Sequence, residues 1–259
     1  MHGAWLTALS WESFRQYFEA KGHTVLVPEW PRKSGDVAEI RGTADSVRGL
    51  GITEIVDHYD GIIRALDEPP IVIGHSFGGL FTQILLDRGL GAAGVAIDPG
   101  PPKGILKLPL AALVSAAPVL LHPSKWSGVI ELSLAQFTRG FVNTWSPEDA
   151  KAAYERYAVP ETGRILFQAG TANFKPGSEA TVNFKNPSRA PLLITGGEKD
   201  NTVPASLSRS IYKKHLRSPA RTDYVEFAGR PHLLMTGAGW DDAADRIYGW
   251  LDEVGATES

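Results

Sequence analysis

Pro70-Ile-Val-Ile-Gly-His-Ser-Phe-Gly-Gly79 decides the fold. The β-branched, apolar run Ile71-Val-Ile73 leads directly into Gly74-x-Ser76-x-Gly78, which reads as a strand that turns abruptly into a helix with a serine at the turn. Such an elbow forces its serine into a strained backbone conformation and holds the hydroxyl above the sheet edge. Glycine is needed at 74 and 78 because a Cβ would collide where strand and helix pass, and Gly79 eases the same crowding one residue later.

Gly-x-Ser-x-Gly alone is a weak signal in a chain with 27 glycines, so downstream partners carry the argument. Pro191-Leu-Leu-Ile-Thr-Gly-Gly-Glu-Lys-Asp200 reads as an apolar strand ending in a glycine turn, with an acid just beyond its carboxyl end. A last strand, Thr222 to Phe227, is followed by Ala228-Gly-Arg-Pro-His232. Ser76, Asp200 and His232 thus stand in the order that the α/β-hydrolase fold imposes, which other serine hydrolase scaffolds do not share. The chain resembles that family from His2-Gly-Ala-Trp5 to its C-terminal helix. Through His2-Gly-Ala-Trp-Leu-Thr7, Gly-His-Ser-Phe-Gly-Gly79 and Ala96-Ile-Asp-Pro99 it resembles the cap-bearing bacterial esterases that include α/β-hydrolase-type N-acyl-homoserine lactonases.

The expected fold is a mostly parallel central sheet with helices on both faces, residues 1–100 and 188–259 forming the core and 101–187 a helical cap. Short apolar strands alternate with amphipathic helices outside that insertion, which is the pattern of a sheet covered on both faces. Ser10 is read as the cap of a helix reaching about Lys21, Thr24–Val27 as a strand stopped by Pro28, and Thr53 as the cap of a helix with Ile55, Val56, Tyr59, Ile62, Ile63 and Leu66 recurring on one side. Inside the insertion, Leu132–Phe141 and Pro147–Tyr157 are the clearest helices. The apolar stretch Ile105–Leu121 contains Lys107, Pro109 and Pro118 and is read as a buried or cap helix pair, too short to span a bilayer.

With 259 residues and 43% hydrophobic content the chain can bury a large core, and a net charge of −3 gives no reason to expect nucleic acid or an anionic membrane as partner. The absence of cysteine excludes disulfides, thiolate metal ligands and a cysteine nucleophile. No signal peptide is visible, so the expected location is cytoplasmic, as a monomer or homodimer without stable membrane insertion.

The implied chemistry is acyl transfer from an ester to water. His232 takes the proton of Ser76 and returns it to the leaving alcohol, while Asp200 holds the imidazole in the required tautomer. The fold supplies the Phe77 N–H to the oxyanion, and the family resemblance adds that of Ala4. The resemblance also implies a strand ahead of His2-Gly3, of which the chain carries only Met1, so the sheet is expected to be open between Thr24–Val27 and Pro70–Ile73, and the natural protein to start upstream. Trp5, Trp145 and Tyr157 are the candidate substrate-binding aromatics, although aromatics at helical spacing, here including Trp126, Phe137, Phe141, Tyr154 and Phe167, more often pack a core.

Asp98 is the rival acid, because some members of the fold place theirs after the earlier strand. His75 and Glu198 read as packing and local hydrogen-bonding residues, and the cluster Lys213, Lys214, His215, Arg217 and Arg221 as a solvated helix face. Gly89-Leu-Gly91-Ala-Ala-Gly94 spells a dinucleotide fingerprint but follows a helix and precedes a strand, the wrong order for a phosphate cradle. No metal-ligand spacing is present, and neither metal nor cofactor is expected. The expected function is ester hydrolysis, extending to N-acyl-homoserine lactones. The alternatives are a cofactor-free perhydrolase of the non-haem haloperoxidase type and a non-catalytic small-molecule-binding member of the fold.

Overall fold

A computed structural model describes residues 1–106 and 126–257. The part of the Ile105–Leu121 stretch from residue 107 onward lies outside the described residues. The α-helices, in chain order, are α1 (Glu12–Ala20), α2 (Val37–Gly42), α3 (Ile52–Arg64), α4 (Phe77–Asp87), α5 (Leu134–Phe141), α6 (Pro147–Tyr157), α7 (Gly163–Gly170), α8 (Ala205–His215) and α9 (Trp240–Glu253). The strands are β1 (Ile71–His75), β2 (Ala93–Ile97), β3 (Val129–Ile130), β4 (Glu161–Thr162), β5 (Leu192–Gly197) and β6 (Thr222–Phe227).

Four strands form one parallel sheet in the order β1-β2-β5-β6, with His75 opposite Ile97 and Gly197 opposite Phe227. Because helices cover both faces, alternate residues of one strand serve different cores: Val95 and Ile97 join the cluster containing α1 and α9, whereas Ala96 joins the one containing Leu207 and Ile211 of α8. On the latter side α4 is buried along nearly its whole length, as the apolar Leu80-Phe81 and Ile84-Leu85-Leu86 require. Val129–Ile130 and Glu161–Thr162 pair antiparallel and close a small ribbon ahead of α7. Among the described residues no helix is long and apolar enough to cross a membrane.

Several expected helix starts move by a few residues. The first helical segment begins as a 3₁₀ turn, Ala8–Trp11, capped by the Thr7 hydroxyl, which accepts from Leu9 N–H. Ser10 lies inside that turn and donates to the Thr7 carbonyl. Gly51, not Thr53, precedes α3, and the first amide, Ile52 N–H, is satisfied from afar by Gln168 Oε1 of α7 at 2.9 Å. His215 is not on a solvated face: it is fully buried under Phe184, with Nε2 3.0 Å from Gln83 Oε1.

Thr24–Val27 is the one expected strand that does not form. A strand needs a ladder partner, and here a cleft of about 680 Å³ separates this segment from the outer edge of β1, lined by Phe14, Phe18, Ile62, Ile63, Ile71 and Ile73. Among the described residues only the end of that edge is paired: the Met1 amino group donates to the Ile73 carbonyl at 2.6 Å and the Met1 carbonyl accepts from His75 N–H at 3.0 Å. The sheet is therefore open at the place the sequence indicated.

Candidate active site

Ser76 occupies the step from β1 into α4 with φ 56° and ψ −116°, a left-handed conformation that a residue with a Cβ adopts only when its surroundings impose it. The surroundings do so through the backbone. Ser76 N–H donates to the Ile97 carbonyl at 2.9 Å, and the Ser76 carbonyl accepts from Gly100 N–H at 2.8 Å and Leu80 N–H at 3.1 Å. A Cβ at Gly74 would sit 2.1 Å from the Gly78 carbonyl oxygen, and one at Gly78 would sit 2.3 Å from the Met1 carbonyl oxygen, so the crossing requires both glycines. Among the described residues the Ser76 hydroxyl has no hydrogen-bond partner.

Asp200 and His232 meet at the carboxyl ends of β5 and β6. Asp200 Oδ2 is 2.6 Å from His232 Nδ1, both side chains being fully buried. Asp200 Oδ1 accepts from Thr202 N–H at 2.7 Å and Val203 N–H at 2.8 Å. This leaves His232 Nε2 buried and, among the described residues, without a partner, the nitrogen through which an imidazole held by a carboxylate accepts a proton. His75 braces the arrangement from behind, its Nε2 2.9 Å from the His232 carbonyl oxygen and its ring 4.5 Å from the His232 ring.

Asp98, the rival acid, is equally buried and lies close by, but it makes no hydrogen bond to His232. At φ 43° beyond β2, its Oδ1 accepts from Gly197 N–H at 2.7 Å while Oδ2 has no partner among the described residues. Gly197 opens the turn that carries Asp200, whose N–H donates to the Gly197 carbonyl at 3.1 Å. Burial pushes both carboxyls up, and the Asp200 charge adds to the effect on Asp98. Three donors satisfy the Asp200 carboxylate and one satisfies that of Asp98. His75, Asp98 and His232 bring one ligand atom each within 4.8 Å of one another, a cluster that no sequence spacing marks. Each of the three already holds a hydrogen bond. Glu198 accepts from Gly229 N–H at 2.8 Å, the local role expected of it.

The oxyanion candidates lie on the turn at Ala4 and at the first residue of α4, Phe77. Among the described residues neither Ala4 N–H nor Phe77 N–H has an acceptor, although both residues are buried. Trp5 lies next to Ala4 and its indole is 6.3 Å from Phe141 in an edge contact; Phe141 in turn meets the His232 ring edge-on at 5.1 Å. Trp145 packs over Gly237, where a Cβ would sit 2.1 Å from the indole. Tyr157 is buried, its hydroxyl 2.6 Å from Glu12 Oε1. Phe141, the aromatic in contact with the histidine, carries no sequence signal that distinguishes it from Phe137, on which it stacks at 5.0 Å.

The family model described as "Alpha/beta hydrolase family" matches residues 1–247. The chain belongs to this family. A parallel sheet with helices on both faces and an elbow serine at the end of β1 is what such a hydrolase presents. Its solved neighbours share the fold at low identity. The hydrolase superimposes on a monoacylglycerol lipase from Paleococcus ferrophilus with a TM-score of 0.69 at 19% identity, covering 98% of this chain and 93% of that one. For an extracellular alpha/beta-hydrolase from a Paenibacillus species the values are 0.68, 20%, 96% and 96%. For a pyrethroid hydrolase from Sphingobium faniae they are 0.66, 18%, 97% and 95%. No curated protein matches the chain.

In three buried histidines of this hydrolase, His75, His215 and His232, desolvation lowers the imidazole, that of His75 well below its ordinary value and those of His215 and His232 to about 3. The unfolded chain protonates all three below about pH 6.5. The folded chain does not, so the stability they contribute above that pH is lost as the pH falls toward 3. Asp98 and Asp200 work the other way, but they retain at most two protons against three. The loss amounts to about 1.4 kcal/mol per net proton and pH unit. Urea unfolding at pH 7 and pH 5 is expected to give a clearly lower midpoint at pH 5; equal midpoints would mean that these histidines titrate as in water.

Proposed function

We propose that this chain is a serine hydrolase that cleaves carboxylic esters through an acyl-serine intermediate, with Ser76 as nucleophile, His232 as general base and Asp200 as the carboxylate that orients it. The observation that carries the reading is the left-handed Ser76 at the end of β1 together with a buried His232–Asp200 pair, the Ser76 hydroxyl and His232 Nε2 both being without a hydrogen-bond partner among the described residues. A serine hydroxyl is a weak nucleophile at neutral pH and needs a neutral imidazole to remove its proton during attack. Burial keeps His232 neutral, and Asp200 stabilises the imidazolium that forms.

The free N–H groups of Ala4 and Phe77 receive the negative charge of the tetrahedral intermediate. Each such donor is worth about 3 to 4 kcal/mol of barrier. His232 then delivers its proton to the leaving alcohol, and water, activated by the same nitrogen, releases the acid. Residues 101–187 act as a cap, and Trp5, at the edge of the site, with Trp145 and Tyr157 form the apolar boundary for the acyl group. The solved neighbours include a lipase and a pyrethroid hydrolase, which supports ester chemistry as the general class.

The substrate class extends to N-acyl-homoserine lactones, which are cyclic esters. Attack by Ser76 opens the ring and leaves its alkoxide tethered to the acyl group, and His232 protonates it. Hydrolysis of p-nitrophenyl butyrate and of a long-chain N-acyl-homoserine lactone, each with a chelator present, tests both parts. Turnover of both compounds is expected. Turnover of the ester with no ring opening of the lactone removes the lactonase part, and failure on both removes the ester reading.

A further inference from the structure

The turn that carries Ala4 holds a conformation its own sequence resists. Trp5 has φ 61°, a left-handed conformation for a bulky aromatic residue, which costs on the order of 1–3 kcal/mol unless neighbouring contacts enforce it. Those contacts converge on one buried ion pair. Lys33 Nζ lies 2.7 Å from Glu161 Oε2, and neither side chain is exposed. Lys33 Nζ also donates to the Leu6 carbonyl at 3.2 Å, and Trp5 N–H donates to Glu161 Oε2 at 3.4 Å. The pair therefore grips the turn on both sides of the Trp5 peptide.

The rest of the setting fixes the pair itself. Glu161 Oε1 accepts from Thr162 N–H at 2.9 Å, and Lys33 Nζ sits 4.7 Å from the centre of the Trp30 ring. Val159 N–H, two residues before Glu161, donates to the Trp5 carbonyl at 3.0 Å, and Trp5 Nε1 donates to the Ile130 carbonyl at 3.1 Å. Residues 130, 159 and 161 all belong to the insertion, whereas Lys33 lies in the core. A buried ion pair adds little stability over apolar residues of the same volume, because desolvating two charges offsets their attraction. What it adds here is direction, since its donors and acceptors are spent on the backbone at Trp5 and Leu6.

We infer that Lys33 and Glu161 are positioning residues, which hold the Ala4–Leu6 turn so that the Ala4 N–H stays aimed at the oxyanion. The inference rests on the ester-hydrolase reading above. It makes the oxyanion turn dependent on contact between insertion and core, because Glu161 and Val159 reach Trp5 only when the two are docked. A shift of about 1 Å in such a donor can cost about 100-fold in rate with binding little changed.

The test uses Glu161→Gln, Lys33→Met and the double variant on p-nitrophenyl butyrate, each rate divided by the concentration of sites titrated with a fluorophosphonate. Turnover per titrated site is expected to fall about 10- to 100-fold in each variant with KM within twofold. Affinity for a trifluoromethyl ketone, whose adduct with the serine carries the oxyanion, falls by the same factor. The double variant leaves no unpaired buried charge, so it keeps the measurement available if a single variant folds poorly. Wild-type turnover per titrated site in the double variant, with only the titratable fraction or Tm reduced, overturns the positioning role while leaving the ester reading intact. A wild type that neither hydrolyses the ester nor takes up the fluorophosphonate overturns both.

Discussion

Ser76→Ala is expected to lower kcat on p-nitrophenyl butyrate by about 10⁴- to 10⁶-fold. The variant removes one oxygen that has no hydrogen-bond partner among the described residues, and it introduces no atom. Serine and alanine suffer the same strain at φ 56°, so the backbone cost cancels between them. The melting temperature should therefore stay within a degree or two of wild type, and the entire change should appear in turnover. A residual rate above water is expected to survive, because the Ala4 and Phe77 N–H groups remain to bind the developing oxyanion. Retention of more than a tenth of wild-type kcat would place the nucleophile elsewhere. Loss of fold together with activity would mean that the hydroxyl supports the elbow, a role its surroundings do not indicate.

Gly74→Ala is expected to be the most damaging single methyl group in the core. Its Cβ would meet the Gly78 carbonyl oxygen at 2.1 Å, the Gly78 carbonyl carbon at 2.3 Å and Thr82 Oγ1 at 2.5 Å. Two of these atoms are backbone of α4, so relief requires the helix to move away from β1. That movement would tear α4 from the apolar contacts of Leu80, Phe81 and Leu85. A loss of about 3 kcal/mol or more is expected, from overpacking at a site that cannot yield. Gly61→Ala is the matched control. Gly61 lies inside α3, exposed, with no left-handed φ and nothing within 4 Å of the place its added methyl would occupy. There the same change should raise stability by about 0.5 to 1 kcal/mol through helix propensity. Urea unfolding of the two variants beside wild type measures both, and equal effects would sink the steric account of the elbow.

What the sequence by itself determined about this protein is what local chemistry enforces. The glycines around Ser76, the apolar β-branched run before it, the apolar stretch Phe77–Asp87 and the segments Pro147–Tyr157 and Thr222–Phe227 yield the same elements in the structure, because sequence pattern and burial agree along each segment. The order Ser76, Asp200, His232 was legible for the same reason: each residue sits just past the end of a short strand, and parallel strands bring such ends to one side of a sheet.

Tertiary structure decided whatever depends on a distant partner. Thr24–Val27 has a strand's composition but gains no ladder, since a cleft lies where its neighbour would run. The first amide of α3 is capped by Gln168, more than a hundred residues away, rather than by Thr53. His215 reads as one of a run of cations yet is buried against Gln83. Between Asp98 and Asp200 the glycine turn before Asp200 favours the latter in the sequence, and the fold shows which carboxylate meets His232 Nδ1 and which grips Gly197. Lys33 and Glu161 belong to no motif, because their contact spans 128 positions of chain and exists only when insertion and core are docked. Backbone geometry and hydrophobic period are written in neighbouring residues, whereas the pairing of buried polar groups depends on three-dimensional placement and leaves no local periodicity to read.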